Sequence, residues 1–140
     1  QEHSVDAIVT EPYLGPVKQG LGMRGQVSGM IKNLTNLYTA AFREFSKILK
    51  PGGRVVFVFP AFKQGNTIDK ISDGVLPALQ KMGFFPKPLL PPFPIFHSPF
   101  LPVRPASPEY QRGEQAGSIL YSRPSQKVLR EIFVFQFKKD

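Results

Sequence analysis

The chain contains no cysteine, so neither a disulfide framework nor a thiolate metal site is open to it. Histidine is nearly as scarce. His3 and His97 are the only two, too few for a histidine-rich metal centre, and no metal is expected. Acidic residues are short as well: 10 Asp and Glu stand against 18 Lys and Arg, a net charge of +8. A basic surplus of that size on a small domain favours a polyanionic partner, nucleic acid before membrane. Long apolar runs are missing. None approaches the ~20 residues needed to span a bilayer, and no secretory signal opens the chain. Together these set the expectation of a cytoplasmic protein with no membrane partner.

What is present suffices for one modest domain. There are 140 residues, 41% of them hydrophobic, so a real core is expected, while 15 prolines imply long extended connections. The chain begins at Gln1 rather than Met and enters an apolar strand within a few residues. The expectation is therefore of a fragment, or of one half of a larger fold.

The first stretch of interest is Val5 to Pro16. An apolar run, Ala7 to Val9, ends in Thr10-Glu11-Pro12-Tyr13-Leu14-Gly15. That order suits a buried parallel strand whose carboxyl end opens into a site, because open α/β sheets bind ligands just beyond their strand ends. A strand followed by a plain proline turn is the alternative. Gly20-Leu21-Gly22-Met23-Arg24-Gly25 then forms a literal G-x-G-x-x-G. The dinucleotide fingerprint needs its first glycine in the tight turn directly after a strand. Here the Glu-Pro-Tyr segment intervenes, and the match reads as a decoy within a loop over the strand ends.

From about Gly29 to Lys50 the period becomes helical. Ile31, Leu34, Tyr38, Ala41, Phe45 and Ile48 recur at three- and four-residue steps. Ser28 is a plausible N-cap, and Pro51-Gly52-Gly53 stops the helix. The aromatic stripe Tyr38, Phe42, Phe45 reads as core rather than as a base-stacking platform. Arg54 to Pro60 is a second apolar strand without alternation, expected to be buried on both faces and parallel to the first. Phe62 to Thr67 should lie at its carboxyl end. A second helix is expected from about Ile68 to Met82, interrupted or bent at Pro77.

Residues Phe84 to Pro108 hold nine of the 15 prolines, interleaved with large apolar side chains. The region is too apolar for a solvated linker and too proline-rich for a helix or central strand. It reads as an extended insertion packed on the body; a proline-rich ligand for a partner domain is the other reading. Ser118 to Ser122 and Val128 to Phe137 are strands joined by a turn at Arg123-Pro124-Ser125-Gln126, close enough to be antiparallel. The fold class expected is α/β: two parallel strands with helices and a C-terminal antiparallel hairpin.

With these segments in order, the chain resembles the C-terminal half of a class I, Rossmann-like S-adenosylmethionine-dependent methyltransferase. It is similar to the amino-methylating branch that carries an Asp/Asn-Pro-Pro-Tyr motif after the fourth strand. Asp6-Ala7-Ile8-Val9-Thr10-Glu11-Pro12-Tyr13 looks like the motif strand, and Leu49-Lys50-Pro51-Gly52-Gly53-Arg54-Val55 looks like the turn before the fifth strand. Tyr121-Ser122-Arg123-Pro124, Gln126-Lys127-Val128 and Arg130-Glu131-Ile132 look like the tail of the RNA guanine-N2 methyltransferase-like group, which includes the THUMP-associated tRNA enzymes. The resemblance implies that residues 1–140 are a partial catalytic domain, its fourth to seventh strands, with a proline-rich insertion at about 84–116.

It also implies a chemistry: methyl transfer from S-adenosylmethionine to an exocyclic amine of a base, foremost guanine N2 in tRNA or other RNA. Glu11, Pro12 and Tyr13 take the catalytic positions. Glu11 would supply a carboxylate, the Pro12 region a backbone carbonyl, and Tyr13 a stacking ring. Thr10, Leu14, Lys18 and Arg24 are candidates for substrate contact, with Lys63, Arg104 and Arg112 as further phosphate contacts if their loops converge. Two registers are open. In one, Glu11 holds the acidic position and Leu14 the aromatic one; in the other, Thr10 leads and Tyr13 keeps the aromatic role. The family's cofactor-binding glycine loop and ribose-binding acid have no counterpart here, so the partners implied are RNA and the missing N-terminal half of the same fold. Other readings are a DNA adenine-N6 methyltransferase and a non-catalytic module that binds RNA or protein. His97 reads as a packed side chain.

Overall fold

A computed structural model describes residues 2–16, 24–88, 117–121 and 128–139, without the side chains of residues 24–27 and 64. Its elements run β1 (Val5–Thr10), α1 (Arg24–Ile48), β2 (Leu49–Gln64), β3 (Thr67–Lys70), α2 (Ile71–Lys81), β4 (Phe84–Lys87), β5 (Ser118–Tyr121) and β6 (Val128–Phe137). They build one six-stranded mixed sheet in the order β1-β2-β6-β4, with β3 paired to β2 and β5 to β6. β1 and β2 are parallel. The remaining pairs are antiparallel. This is the α/β class expected, with a parallel β1–α1–β2 unit followed by an antiparallel β5–β6 pair; the turn at Arg123 to Gln126 lies outside the described residues.

The core forms on one face of this sheet. Leu34, Tyr38 and Phe42, four residues apart on α1, are all buried. The Tyr38 ring meets Phe57 and Phe59 edge-on at 5.3 and 5.6 Å. Phe42 packs on Phe57, Phe84 and Phe135 at 5.0, 4.9 and 5.3 Å, separations at which edge-to-face aromatic contact is favourable. Ile71, Val75 and Leu79 of α2 join the same cluster. Along β2 the residues Val55, Phe57, Phe59 and Ala61 face this core, while Val56 and Val58 between them are only half-buried. β2 is thus buried fully on one face, not on both as its continuous apolar run predicts, because both helices lie on the same side.

β1 departs from expectation in a related way. It is parallel to β2 as predicted but forms the edge of the sheet, with Val9 76% exposed. α1 starts at Arg24, earlier than Gly29, so Ser28 lies within the helix rather than capping it. Growth back from the packed turn at Met30 and Leu34 adds one hydrogen bond per residue, which offsets the weak helix propensity of Gly25 and Gly29. At its other end the helix gives way directly to β2. Leu49 pairs with Val5 and Arg54 with Ala7, so Lys50-Pro51-Gly52-Gly53 bulges out between them. A Cβ on Gly53 would lie 2.9 Å from the Lys50 carbonyl oxygen and 3.1 Å from that of Asp6, which is why the turn needs glycine there.

Two further segments correct the sequence reading. β2 does not stop at Pro60. Buried Phe62 carries it on to Gln64, and a hairpin turns back as β3, where Lys63 faces Ile68 and Gln64 faces Thr67. Phe62 to Thr67, expected just beyond a strand ending at Pro60, instead comprises the last residues of β2, the β2–β3 turn and the first residue of β3, and α2 begins at Ile71 rather than Ile68. Phe84–Lys87 is likewise a strand rather than the start of the insertion. It pairs with Phe137 to Val134, and β5 continues along the same edge of β6 from Phe133 to Arg130. Among the described residues β4 is an outer strand, the position in a sheet where proline is tolerated when its missing N–H would face outward. The insertion therefore interrupts a single edge line between Lys87 and Ser118, and residues 89–116 lie outside the described residues.

One charge sits inside the packed layer. Glu131, 1% exposed, accepts from Lys70 Nζ at 3.0 Å and from Ser118 Oγ at 2.9 Å on one oxygen, and from Ser72 Oγ on the other. Ser72 is the second residue of α2, so the carboxylate lies where a helix N-terminus favours negative charge. β3, α2, β5 and β6 meet on this one group. Glu131→Ala should destabilise the chain by about 3–5 kcal/mol in urea unfolding, because Lys70 is left with an uncompensated, mostly buried charge. At the end of α2, Gly83 has φ +89° and a Cβ there would stand 2.2 Å from the Lys138 carbonyl oxygen. Gly83→Ala should lower unfolding stability by more than about 1 kcal/mol, since both backbone strain and the clash oppose it.

Candidate active site

The residues following β1 are the candidates named from the sequence, and three contacts fix their path. Glu11, immediately past Thr10, accepts a hydrogen bond from Arg130 Nε at 2.9 Å. The Tyr13 carbonyl accepts one from the Tyr38 hydroxyl at 2.6 Å. Gly15, at φ +97°, brings the chain against α1 and β2, with Leu34, Met30 and Phe62 within contact distance of where a Cβ would stand. The loop is therefore held at its beginning, middle and end by three different elements. Between the anchors the Tyr13 residue is 61% exposed, one of the largest apolar surfaces outside the core.

The middle anchor reaches into the hydrophobic layer. Tyr38 is fully buried among Phe57 and Phe59, and only its hydroxyl meets a polar partner. A buried hydroxyl needs such a partner to offset its lost hydration. Burial raises the Tyr38 pKa well above the ordinary tyrosine value, and ionisable Tyr13 beside it adds to the effect. The hydroxyl stays protonated and donating across the working pH range. The Glu11–Arg130 pair is different in kind. Both side chains are partly open to water, at 47% and 31% exposure, so as a stabilising contact it contributes only ~0–1 kcal/mol.

Arg130 faces Pro60 across β6–β2 and Tyr121 across β6–β5. Its side chain spans β2 to reach the end of β1, while the next residue, Glu131, turns to the opposite face. This contact was not assigned from sequence. Arg130 stands in the Arg-Glu-Ile stretch read there only as part of a family-like tail, and the pair joins residues 119 apart in the chain.

The other predicted residues divide. Thr10, Pro12 and Leu14 are half-buried within the anchored loop beside Glu11 and Tyr13. Lys18, His97, Arg104 and Arg112 lie outside the described residues. Arg24 is the first residue of α1, its side chain not described. Lys63 is exposed on β2 close to the β2–β3 turn. Among the described residues no group of three or more His, Asp or Glu could hold a metal ion, and no helix is long and apolar enough to cross a membrane.

No family model and no curated protein matches the chain. Among solved structures, a provisionally assigned DNA modification methylase of Thermus thermophilus is similar at 19% identity and a TM-score of 0.48, over 99% of this chain and 48% of that one. Its complex with S-adenosyl-L-methionine is similar at 17% identity and a TM-score of 0.44, over 99% of this chain and 47% of the other. This chain spans about half the length of the structures it resembles. Both likenesses are of chain path alone.

Tyr38 makes the middle anchor testable through pH. Above the ordinary tyrosine pKa of 10.0 the unfolded chain sheds the Tyr38 proton while the folded chain keeps it. The unfolded state then binds fewer protons, so stability falls as pH rises. Tyr38→Phe should remove that contribution, which amounts to about 1.4 kcal/mol per pH unit above pH ~10. Parallel urea titrations of the two chains from pH 8 upward read the difference in slope.

Proposed function

We propose that residues 1–140 are the acceptor-side half of an S-adenosylmethionine-dependent methyltransferase that methylates an exocyclic amine of a nucleic-acid base. Guanine N2 in RNA, with tRNA foremost, is the preferred substrate, and adenine N6 in DNA is the second reading because the same loop chemistry serves that amine. The observation that carries the reading is the anchored Glu11-Pro12-Tyr13 loop at the carboxyl end of a strand in a parallel pair, where open α/β sheets place their ligands. The family-like motif and turn, and the net charge of +8, support it.

The methyl donor supplies an electrophilic methyl group when bound. The Gly20 to Gly25 motif is not assigned to the donor, because the resemblance places it after the wrong strand and its last two residues, Arg24 and Gly25, are helical. Donor binding is therefore assigned to the N-terminal half of the fold. What these residues do concerns the amine. Its lone pair is delocalised into the base ring, which makes it a poor nucleophile. Acceptors on its hydrogens favour a pyramidal nitrogen and stabilise the positive charge that develops there. Glu11 provides one through the oxygen that Arg130 does not occupy. The second is the Pro12 carbonyl, since the Tyr13 carbonyl is engaged by Tyr38. The exposed Tyr13 ring offers a stacking surface for a base that has left any duplex. Glu11 is taken in the acidic position of the first register, with the exposed Tyr13 ring rather than the half-buried Leu14 as the stacking surface.

In the full-length protein, Glu11→Gln should reduce methyl incorporation by at least about 100-fold, the scale expected when an electrostatic acceptor is removed. Donor affinity measured by calorimetry should stay unchanged. A Glu11→Gln protein with full activity on every RNA and DNA substrate removes the assignment. Comparing tRNA with duplex and single-stranded DNA separates the two substrate readings.

A further inference from the structure

We infer that Arg130 is a positioning residue for the Glu11 carboxylate, and that it makes usable an acceptor one methylene longer than the aspartate or asparagine of the motif it resembles. The inference rests on the functional reading above. A glutamate in the acidic position has one more rotatable bond than an aspartate, so its oxygens are less well placed unless something holds them. Arg130 Nε holds Oε1 at 2.9 Å, which limits the carboxylate's freedom. A guanidinium suits this role because its planar donors fix direction as well as distance.

The base of the Arg130 side chain is itself fixed. Its strand is paired on both sides, with Pro60 on β2 and Tyr121 on β5 opposite Arg130. On the reverse face the neighbouring Glu131 is fastened by Lys70, Ser72 and Ser118. Arg130 and Glu131 thus work back to back: the buried acid secures the strand and the half-buried arginine secures the acceptor. The contact's small worth to stability is no argument against this role, because a displacement of about 1 Å can cost ~100-fold in rate.

The account predicts that restoring the family's shorter acid harms the enzyme. Glu11→Asp draws the carboxylate out of Arg130's reach, and kcat should fall about 10- to 100-fold. Arg130→Met in the full-length protein should lower kcat by a similar factor, with the donor KM and the melting temperature unchanged, and Arg130→Lys should recover part of the loss. In the Glu11→Asp background, Arg130→Met should cause no further loss. If Arg130→Met lowers the melting temperature, Arg130→Gln carries the same comparison. Full activity of the Arg130 variant, or equal losses in the Glu11 and Glu11→Asp backgrounds, overturns the inference. Those outcomes leave the methyltransferase reading standing so long as Glu11→Gln is inactive. A fully active Glu11→Gln protein overturns both.

Discussion

The hydrogen bond from Tyr38 to the Tyr13 carbonyl joins the two halves of what this chain does. Its donor belongs to the hydrophobic layer, packed edge-on against two phenylalanines of β2. Its acceptor belongs to an exposed loop. Because the hydroxyl is buried and must keep a partner, the core cannot form in this arrangement without bringing Tyr13 to one place. The loop's position is therefore a consequence of core packing rather than of its own sequence. Gly15 against Leu34 and Phe62 repeats the principle at the loop's far end, and Arg130 adds a polar anchor at its beginning.

The sheet explains why these anchors converge. β6 is the hub: it pairs with β2 along nine residues and with both segments of the outer line, β4 and β5. Its alternation sends Phe133, Phe135 and Phe137 into the core together with Glu131, and sends Arg130 to the other face. A single strand therefore closes the hydrophobic layer, seats a buried carboxylate at the start of α2, and reaches the candidate acceptor across β2. β1 forms the opposite edge of the described sheet, with Val9 open to solvent.

Much of this was legible in the sequence, and the parts that were not share a cause. The helical stripe through Leu34, Tyr38 and Phe42, the glycine turn before Arg54 and the β5–β6 pair all follow from local periodicity and turn chemistry. The continuation of β2 into β3 does not, because Phe62 reads equally well as a loop aromatic until its burial is known. Phe84–Lys87 was hidden by Pro86, which argues against a central strand but says nothing against an outer one. The unbroken apolar run of β2 suggested two covered faces, whereas its alternation is between fully and half-buried side chains. That Glu11 to Tyr13 follow the carboxyl end of a strand could be read directly. What holds them could not: Tyr38 looked like one more core aromatic, and Arg130 is far away in the chain. Contacts made by a single side-chain atom across the sheet leave no pattern in sequence.

The central claim is that this loop presents paired acceptors to an amino group. It is tested most directly by the position of the transferred methyl. Full-length protein would be incubated with S-adenosylmethionine carrying a deuterated methyl and with RNA or DNA, and the nucleosides then analysed by mass spectrometry. The account predicts the label on an exocyclic nitrogen. Label on a ring carbon or a ribose oxygen would contradict it, since neither offers the N–H donors that Glu11 and the Pro12 carbonyl are placed to accept.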